Sequence, residues 1–293
     1  MELTEAQSAE LKLALKRCSQ ETIDAAFRFR NEGDLEAAKL VVYGIIERYM
    51  PAEAAPKLKT ATDDTRLIED LGIDSLTMLE IVLSIEEALG IRIENDELRE
   101  IRSLGEVKDF ISNKIRSGPA PLEGKVDASG CVKYDRERIL SIIPQGPPFF
   151  FLDDAEIEGN VVRATYKITG EEFFLEGHFK DNPVFPASIA FEALGQAACL
   201  WILERAQEAI GIQLESHEVV FASMDGAHCY RRAKPGDVLE MEVSLSKLRQ
   251  PLGIFHGSVK VGGQRMAQVE QLILAFGEEA SAHLTGLAES VAA

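Results

Sequence analysis

Cysteine is scarce: the 293 residues hold four, Cys18, Cys131, Cys199 and Cys229, scattered and with no Cys-x-x-Cys pair. A disulfide framework is therefore excluded, and reduced thiols in a cytoplasm are expected. Positive charge is also short, 31 Lys and Arg against 49 Asp and Glu, for a net charge of −18. No broad basic face exists to neutralise phosphates, so nonspecific nucleic-acid binding is excluded, while solubility and basic partners are favoured. The N-terminus, Met1-Glu2-Leu3-Thr4-Glu5, lacks a basic region followed by an apolar run. No segment reads as long enough to span a bilayer, so neither export nor membrane insertion is expected. No pair among His178, His217, His228, His256 and His283 has metal-ligand spacing, and no metal is expected. What is present is 46% apolar residues in a chain long enough for two or more domains.

Residues 1–32 read as a helical N-terminal extension, with Leu11, Leu15, Ile23, Ala26 and Phe27 set among charges. A packing hairpin and a docking extension are both compatible with that pattern. Helical periodicity resumes over 33–116: Ala38, Val41, Val42, Ile45 and Ile46 form an apolar face ending near Tyr49 and Pro51, and a polar loop follows. Asp74 or Ser75 then opens a helix whose Leu76, Leu79, Val82, Leu83 and Ile85 face inward, with Glu80, Glu86 and Glu87 expected to stay wet.

The run from Leu67 to Ile91, with Asp74-Ser75-Leu76 at the start of an acidic helix, resembles acyl carrier proteins. The resemblance implies a four-helix all-α carrier bundle over 33–116. It also implies a 4'-phosphopantetheine arm on the hydroxyl of Ser75, flanked by Asp74 and Leu76, and a phosphopantetheinyl transferase as partner. Physical chemistry agrees, since a helix N-terminus tolerates the charge of a phosphodiester. Asp96, Leu104 and Val107–Ile111 continue the carrier pattern through a short third and a last helix.

Residues 117–135, with Gly118, Pro119, Pro121, Gly124 and Gly130, have the composition of a flexible linker. Beyond it, residues 136–280 begin with a helix over Arg136–Ile143 and hold alternating segments at 161–169, 219–222, 238–245, 255–261 and 267–276. Gly262-Gly263 reads as a hairpin turn, and 281–293 as a C-terminal tail.

The chain is organised around Phe174–Trp201. Asn182-Pro183 marks a turn, and Pro186 suits the start of a helix rich in Gly and Ala from Ala187 on, which suggests a helix wrapped by a sheet. In that helix Glu192, between Phe191 and Ala193, is an anomalous carboxylate without an evident partner, expected to titrate high and act as an acid. His178 precedes the loop as a base matched to neutral pH, and the orphan N–H groups near Ala187 suit a developing oxyanion. These groups describe proton abstraction beside a carbonyl. A structural histidine and a solvated glutamate are the alternative reading.

Gly177-His178-Phe179 with Asn182-Pro183-Val184 and Pro186, followed by Glu192-Ala193 and Gln196-Ala197-Ala198, resembles the active-site segment of 3-hydroxyacyl-[acyl-carrier-protein] dehydratases. Pro144, Pro148, Phe149, Asp153, Phe221–Ala227, Arg231 and Pro235-Gly236-Asp237 extend the likeness over about 139–276. It implies an α+β hot-dog domain, an antiparallel sheet wrapped around a central helix, acting as a homodimer in which the His and the acid of one site come from different subunits. The implied reaction turns a (3R)-hydroxyacyl thioester into a trans-2-enoyl thioester and water, in fatty-acid or related lipid or polyketide synthesis alongside other enzymes of that synthesis. By resemblance His178 is the base and Glu192 the acid, with Ala187 N–H on the thioester carbonyl. Two departures stand out: Gln145-Gly146 replace His-Arg, and Ala187-Ser188 replace Gly-Val. A noncatalytic acyl-binding hot-dog module or a thioesterase fused to a carrier is the alternative. The basic cluster Arg231, Arg232 and Lys234 is either a solvated turn or a dock for the acidic carrier.

Overall fold

The computed structural model describes residues 3–50, 55–58, 60–93, 97, 101–116 and 130–277. The chain divides into two compact units, Met1–Glu123 and Gly124–Ala293.

In the first unit the helix starts are set by side-chain caps. Helix α1 (Glu5–Ala14) opens on a Thr4–Gln7 capping box, α2 (Gln20–Glu32) on Ser19 and α3 (Leu35–Tyr49) on Asp34. The loop after Pro51 holds a single turn, α4 (Ala55–Leu58), before α5 (Ser75–Leu89) and α6 (Leu104–Arg116). Leu11, Leu15, Ala25 and Phe29 share one buried core with Val41, Ile45, Ile81 and Ile85, so α1 and α2 pack into the same unit as the carrier helices. The α2–α3 crossing is tight, since a Cβ on Gly44 would meet Thr22 Oγ1 at 1.9 Å. Arg30 of α2 donates to the Glu87 carbonyl (3.2 Å) at the C-terminus of α5, where Gly90 (φ 67) turns the chain back. That turn brings Ile91 and Ile93 into the core, and Glu86, expected to be wet, is only 2% exposed because it accepts the Ile93 N–H at 2.7 Å. The expected third helix falls around 94–100, where residue 97 alone is described, and Asp96 lies outside the described residues.

The second unit is one antiparallel sheet in the order β1-β2-β3-β6-β7-β8-β4, with β5 (His228–Cys229) paired to β8. The strands are β1 (Cys131–Asp135), β2 (Asp154–Glu158), β3 (Val161–Lys167), β4 (Val219–Asp225), β6 (Val238–Arg249), β7 (Leu252–Val261) and β8 (Gln264–Phe276). The segment 131–135 is thus not linker: it forms β1, pairing Cys131 with Glu158 and Asp135 with Asp154. Residues 117–129 and 281–293, read as linker and tail, lie outside the described residues, as does His283.

A short helix α7 (Arg136–Ile142) follows β1, capped by Asp135. Asp153 ties it to the sheet, pairing with Arg136 (2.7 Å) and accepting the Lys167 N–H (2.7 Å). The 24-residue helix α8 (Ala187–Ile210) lies in the curve of the sheet, with Ala193, Leu194, Ala197, Ala198 and Trp201 fully buried. This is the hot-dog architecture. Contrary to the sequence reading, α8 is long and apolar enough to cross a membrane by length and composition. Its apolar surface is instead taken up by β3, β6, β7 and β8.

Candidate active site

His178 follows a 3-10 turn (Phe173–Glu176) and starts a loop that closes on itself. Its N–H donates to Phe174 O (3.1 Å), its carbonyl accepts the Val184 N–H (2.7 Å), and Phe179 and Asn182 exchange backbone bonds across the tip. The ring is fixed as well. Nδ1 lies 2.7 Å from the Val184 carbonyl, which can only accept, so Nδ1 carries the proton and Nε2 keeps a free lone pair. The Phe179 ring stacks on the imidazole at 4.2 Å.

The chain then runs directly into α8. Phe185 N–H donates to Ala233 O (2.8 Å), Pro186 is the N-cap with φ −62, and no side chain caps the helix. Ala187 therefore sits at the first helical position, where its N–H has no intrahelical acceptor. About one and a half turns on, Glu192 is half-buried. It does have a partner, contrary to the sequence reading: Gln196 Nε2 donates to its Oε1 at 3.0 Å.

Gln196 is fully buried, and its amide is oriented from behind, because Oε1 accepts the Phe151 N–H (2.9 Å) while Nε2 also reaches Phe149 O (3.2 Å). Sequence reasoning placed it in the dehydratase-like motif without giving it a role, and its i, i+4 spacing from Glu192 was a second signal. Phe151 in turn packs edge-on against Tyr166 and Phe185 and at a tilt on Phe174, so one aromatic cluster underlies both the loop of His178 and the support of Glu192. Within one chain no hydrogen bond joins His178 to Glu192; each is held separately.

Arg231, Arg232 and Lys234 are exposed, and the Phe185–Ala233 bridge sets the last two beside the chain entering α8. Arg231 contacts Gln264. Gln145 Oε1 is buried with no hydrogen-bond partner among the described residues.

In the first unit Asp74 is the N-cap of α5, its exposed carboxylate accepting the Thr77 N–H at 2.7 Å. Ser75 and Leu76 are the first two helical residues, and the first turn carries no acidic side chain. The helix dipole at this N-terminus favours a phosphodiester.

Comparison with known proteins matches this division. Residues 52–111 match a family described as a phosphopantetheine attachment site, and residues 144–270 one described as a FabA-like domain. The 3-hydroxyacyl-[acyl-carrier-protein] dehydratase FabZ of Shewanella woodyi is 34% identical over 138 residues, 46% of this chain and 88% of that protein. FabZ of Bacillus velezensis is 34% identical over 146 residues, 49% of this chain and 99% of the relative. FabZ of Proteus mirabilis is 35% identical over 140 residues, 46% and 89% of the two chains. With a carrier-type attachment domain ahead of its hot-dog unit, this chain belongs to the 3-hydroxyacyl-[acyl-carrier-protein] dehydratase FabZ family.

Proposed function

We propose that the chain is a self-contained pair of carrier and dehydratase, in which His178 and Glu192 convert a (3R)-hydroxyacyl thioester to the trans-2-enoyl thioester and water. The observation that carries this reading is the imidazole whose Nδ1 is committed to Val184 O, leaving Nε2 as a fixed proton acceptor. The thioester acidifies the α proton. Nε2 takes it, and the electron pair passes into an enolate whose oxygen is stabilised by the Ala187 N–H at the positive end of α8. The C3–O bond then breaks as Glu192, in its acid form, gives its proton to the departing hydroxyl, so that water leaves. Exchange with solvent returns the proton from His178 and re-protonates Glu192. Gln196 holds the carboxyl toward the reaction.

Ser75 is our assignment for the attachment point of the 4'-phosphopantetheine, with Asp74 capping the helix and Leu76 following. When bound, that group supplies a thiol that carries the acyl chain as a thioester. Arg231, Arg232 and Lys234, beside the start of α8, are suited to guide an acidic carrier or its phosphate by raising the encounter rate.

A homodimer is part of the reading. Among the described residues strand β4 ends the sheet order, and it exposes Phe221 (51%) and Met224 (37%), an arrangement that favours pairing with a second copy. We place the protein in the cytoplasm, in keeping with its four free cysteines, among other enzymes of fatty-acid or polyketide synthesis and a phosphopantetheinyl transferase.

The test is intact mass measurement after loading with a transferase and a 3-hydroxyacyl coenzyme A. The expected mass gain is absent in Ser75→Ala, and the loaded protein then loses the mass of one water. A loaded arm that keeps its hydroxyl in the presence of the intact second unit overturns the dehydratase assignment.

A further inference from the structure

Resting on the role proposed for His178, we infer that Phe179 is a positioning residue that stabilises the imidazolium formed when His178 takes the substrate's α proton. The two rings stack with centroids 4.2 Å apart and planes 26° from parallel. The phenyl face thus lies against the imidazole while Nδ1 is held in place by Val184 O. In the chemical step the Cα–H bond breaks, its electron pair stays with the thioester as an enolate, and the proton on Nε2 turns the ring into a cation. A cation this close to a π face is attracted by the ring quadrupole. Backbone bonds in both directions to Asn182 fix the main chain that carries the Phe179 ring, which is itself half-exposed. That stack favours the charged form of His178 and so the state toward which the reaction climbs.

Other charges around the ring are constant. Glu176, Lys180 and Asp181 of its own loop are exposed, as are Arg232 and Lys234 across the Phe185–Ala233 bridge, and the first turn of α8 carries no charge. Glu172, ahead of the 3-10 turn, is occupied by Tyr166 and by the Thr169 and Gly170 N–H groups. In the homodimer proposed above, Glu192 of a second copy also reaches the site. None of these changes when residue 179 is replaced, so a shift in the titration of His178 isolates the ring.

The experiment follows the His178 resonance by NMR against pH in the full chain, with His178→Gln assigning it among five histidines. In Phe179→Leu the midpoint should fall by about half a pH unit, as expected for a half-exposed cation–π contact. The acid limb of kcat/KM should move down equally while its plateau drops about threefold; Phe179→Tyr should behave as wild type. A change in packing alone lowers the plateau without moving the limb. If the leucine variant does not fold, pentafluorophenylalanine at 179 keeps the shape, reverses the quadrupole and should lower the midpoint at least as far. An unmoved midpoint in whichever of these folds overturns the inference. Because the titration is read without substrate, it stands apart from any failure of the dehydratase assignment.

Discussion

Glu192 is held by an amide that has no freedom to turn. Gln196 receives the Phe151 N–H on its oxygen, so its nitrogen must face Glu192. Replacing Gln196 with Leu leaves a buried N–H at Phe151 unsatisfied and releases the carboxyl. That should cost about 1–3 kcal/mol in urea unfolding and lower kcat more than KM is changed. On the same helix, burial pushes the Cys199 thiol up to about 12. A neutral thiol is a poor nucleophile. At pH 8, Cys131 and Cys229, both exposed, should react with a maleimide in the native protein while Cys199 stays unmodified until unfolding, as read by peptide mass mapping.

At the level of elements, Glu172 closes the turn between β3 and the loop of His178. Burial works against its ionisation, yet N–H groups at Thr169 and Gly170 and the Tyr166 hydroxyl hold its carboxyl below the usual range. A carboxyl lowered in the folded state contributes stability above its unfolded value and loses it as pH falls through the folded one. Wild type should therefore lose stability on acidification below about pH 4.5 more steeply than Glu172→Gln, measured by thermal unfolding as a function of pH. In the helical unit, Gly90→Ala forces a Cβ into a left-handed turn and to within 2.9 Å of the Arg30 guanidinium. Loss of about 1–2 kcal/mol from the helical unit is expected, followed by circular dichroism.

These two elements also mark the limits of sequence reading. Long periodic segments were legible: α8, α5 and strands β3, β6, β7 and β8 announce themselves by apolar spacing and by the Gly262-Gly263 turn. Strands β1 and β2 were not, because five residues such as Cys131–Asp135 show too few alternations to separate strand from linker. Motif resemblance nominated His178, Glu192 and Ser75, but not the contacts that hold them. Gln196 is itself oriented by Phe149 and Phe151, remote in sequence, and Val184 acts through its backbone carbonyl, and spacing carries no record of these contacts. Glu86 reads as a solvated helix face until the Gly90 turn brings the Ile93 N–H to it.

On the scale of the whole molecule, two compact units with different chemistry share one chain, which keeps a tethered acyl group at high local concentration. Among the described residues the hot-dog unit ends its sheet on β4, with Phe221 and Met224 exposed. The homodimer proposed above should give way to monomer in light scattering on Phe221→Glu, with loss of turnover. The groups proposed for catalysis, His178 and Glu192, make no hydrogen bond to each other within one chain. The most direct measurement is product analysis with a synthetic 3-hydroxyacyl pantetheine thioester, free of the carrier, for wild type, His178→Ala and Glu192→Gln. Wild type should give the trans-2-enoyl product, and each variant a rate lower by about 10²–10⁴-fold. Equal turnover in all three, or release of the free acid in place of the enoyl thioester, would contradict the dehydratase assignment.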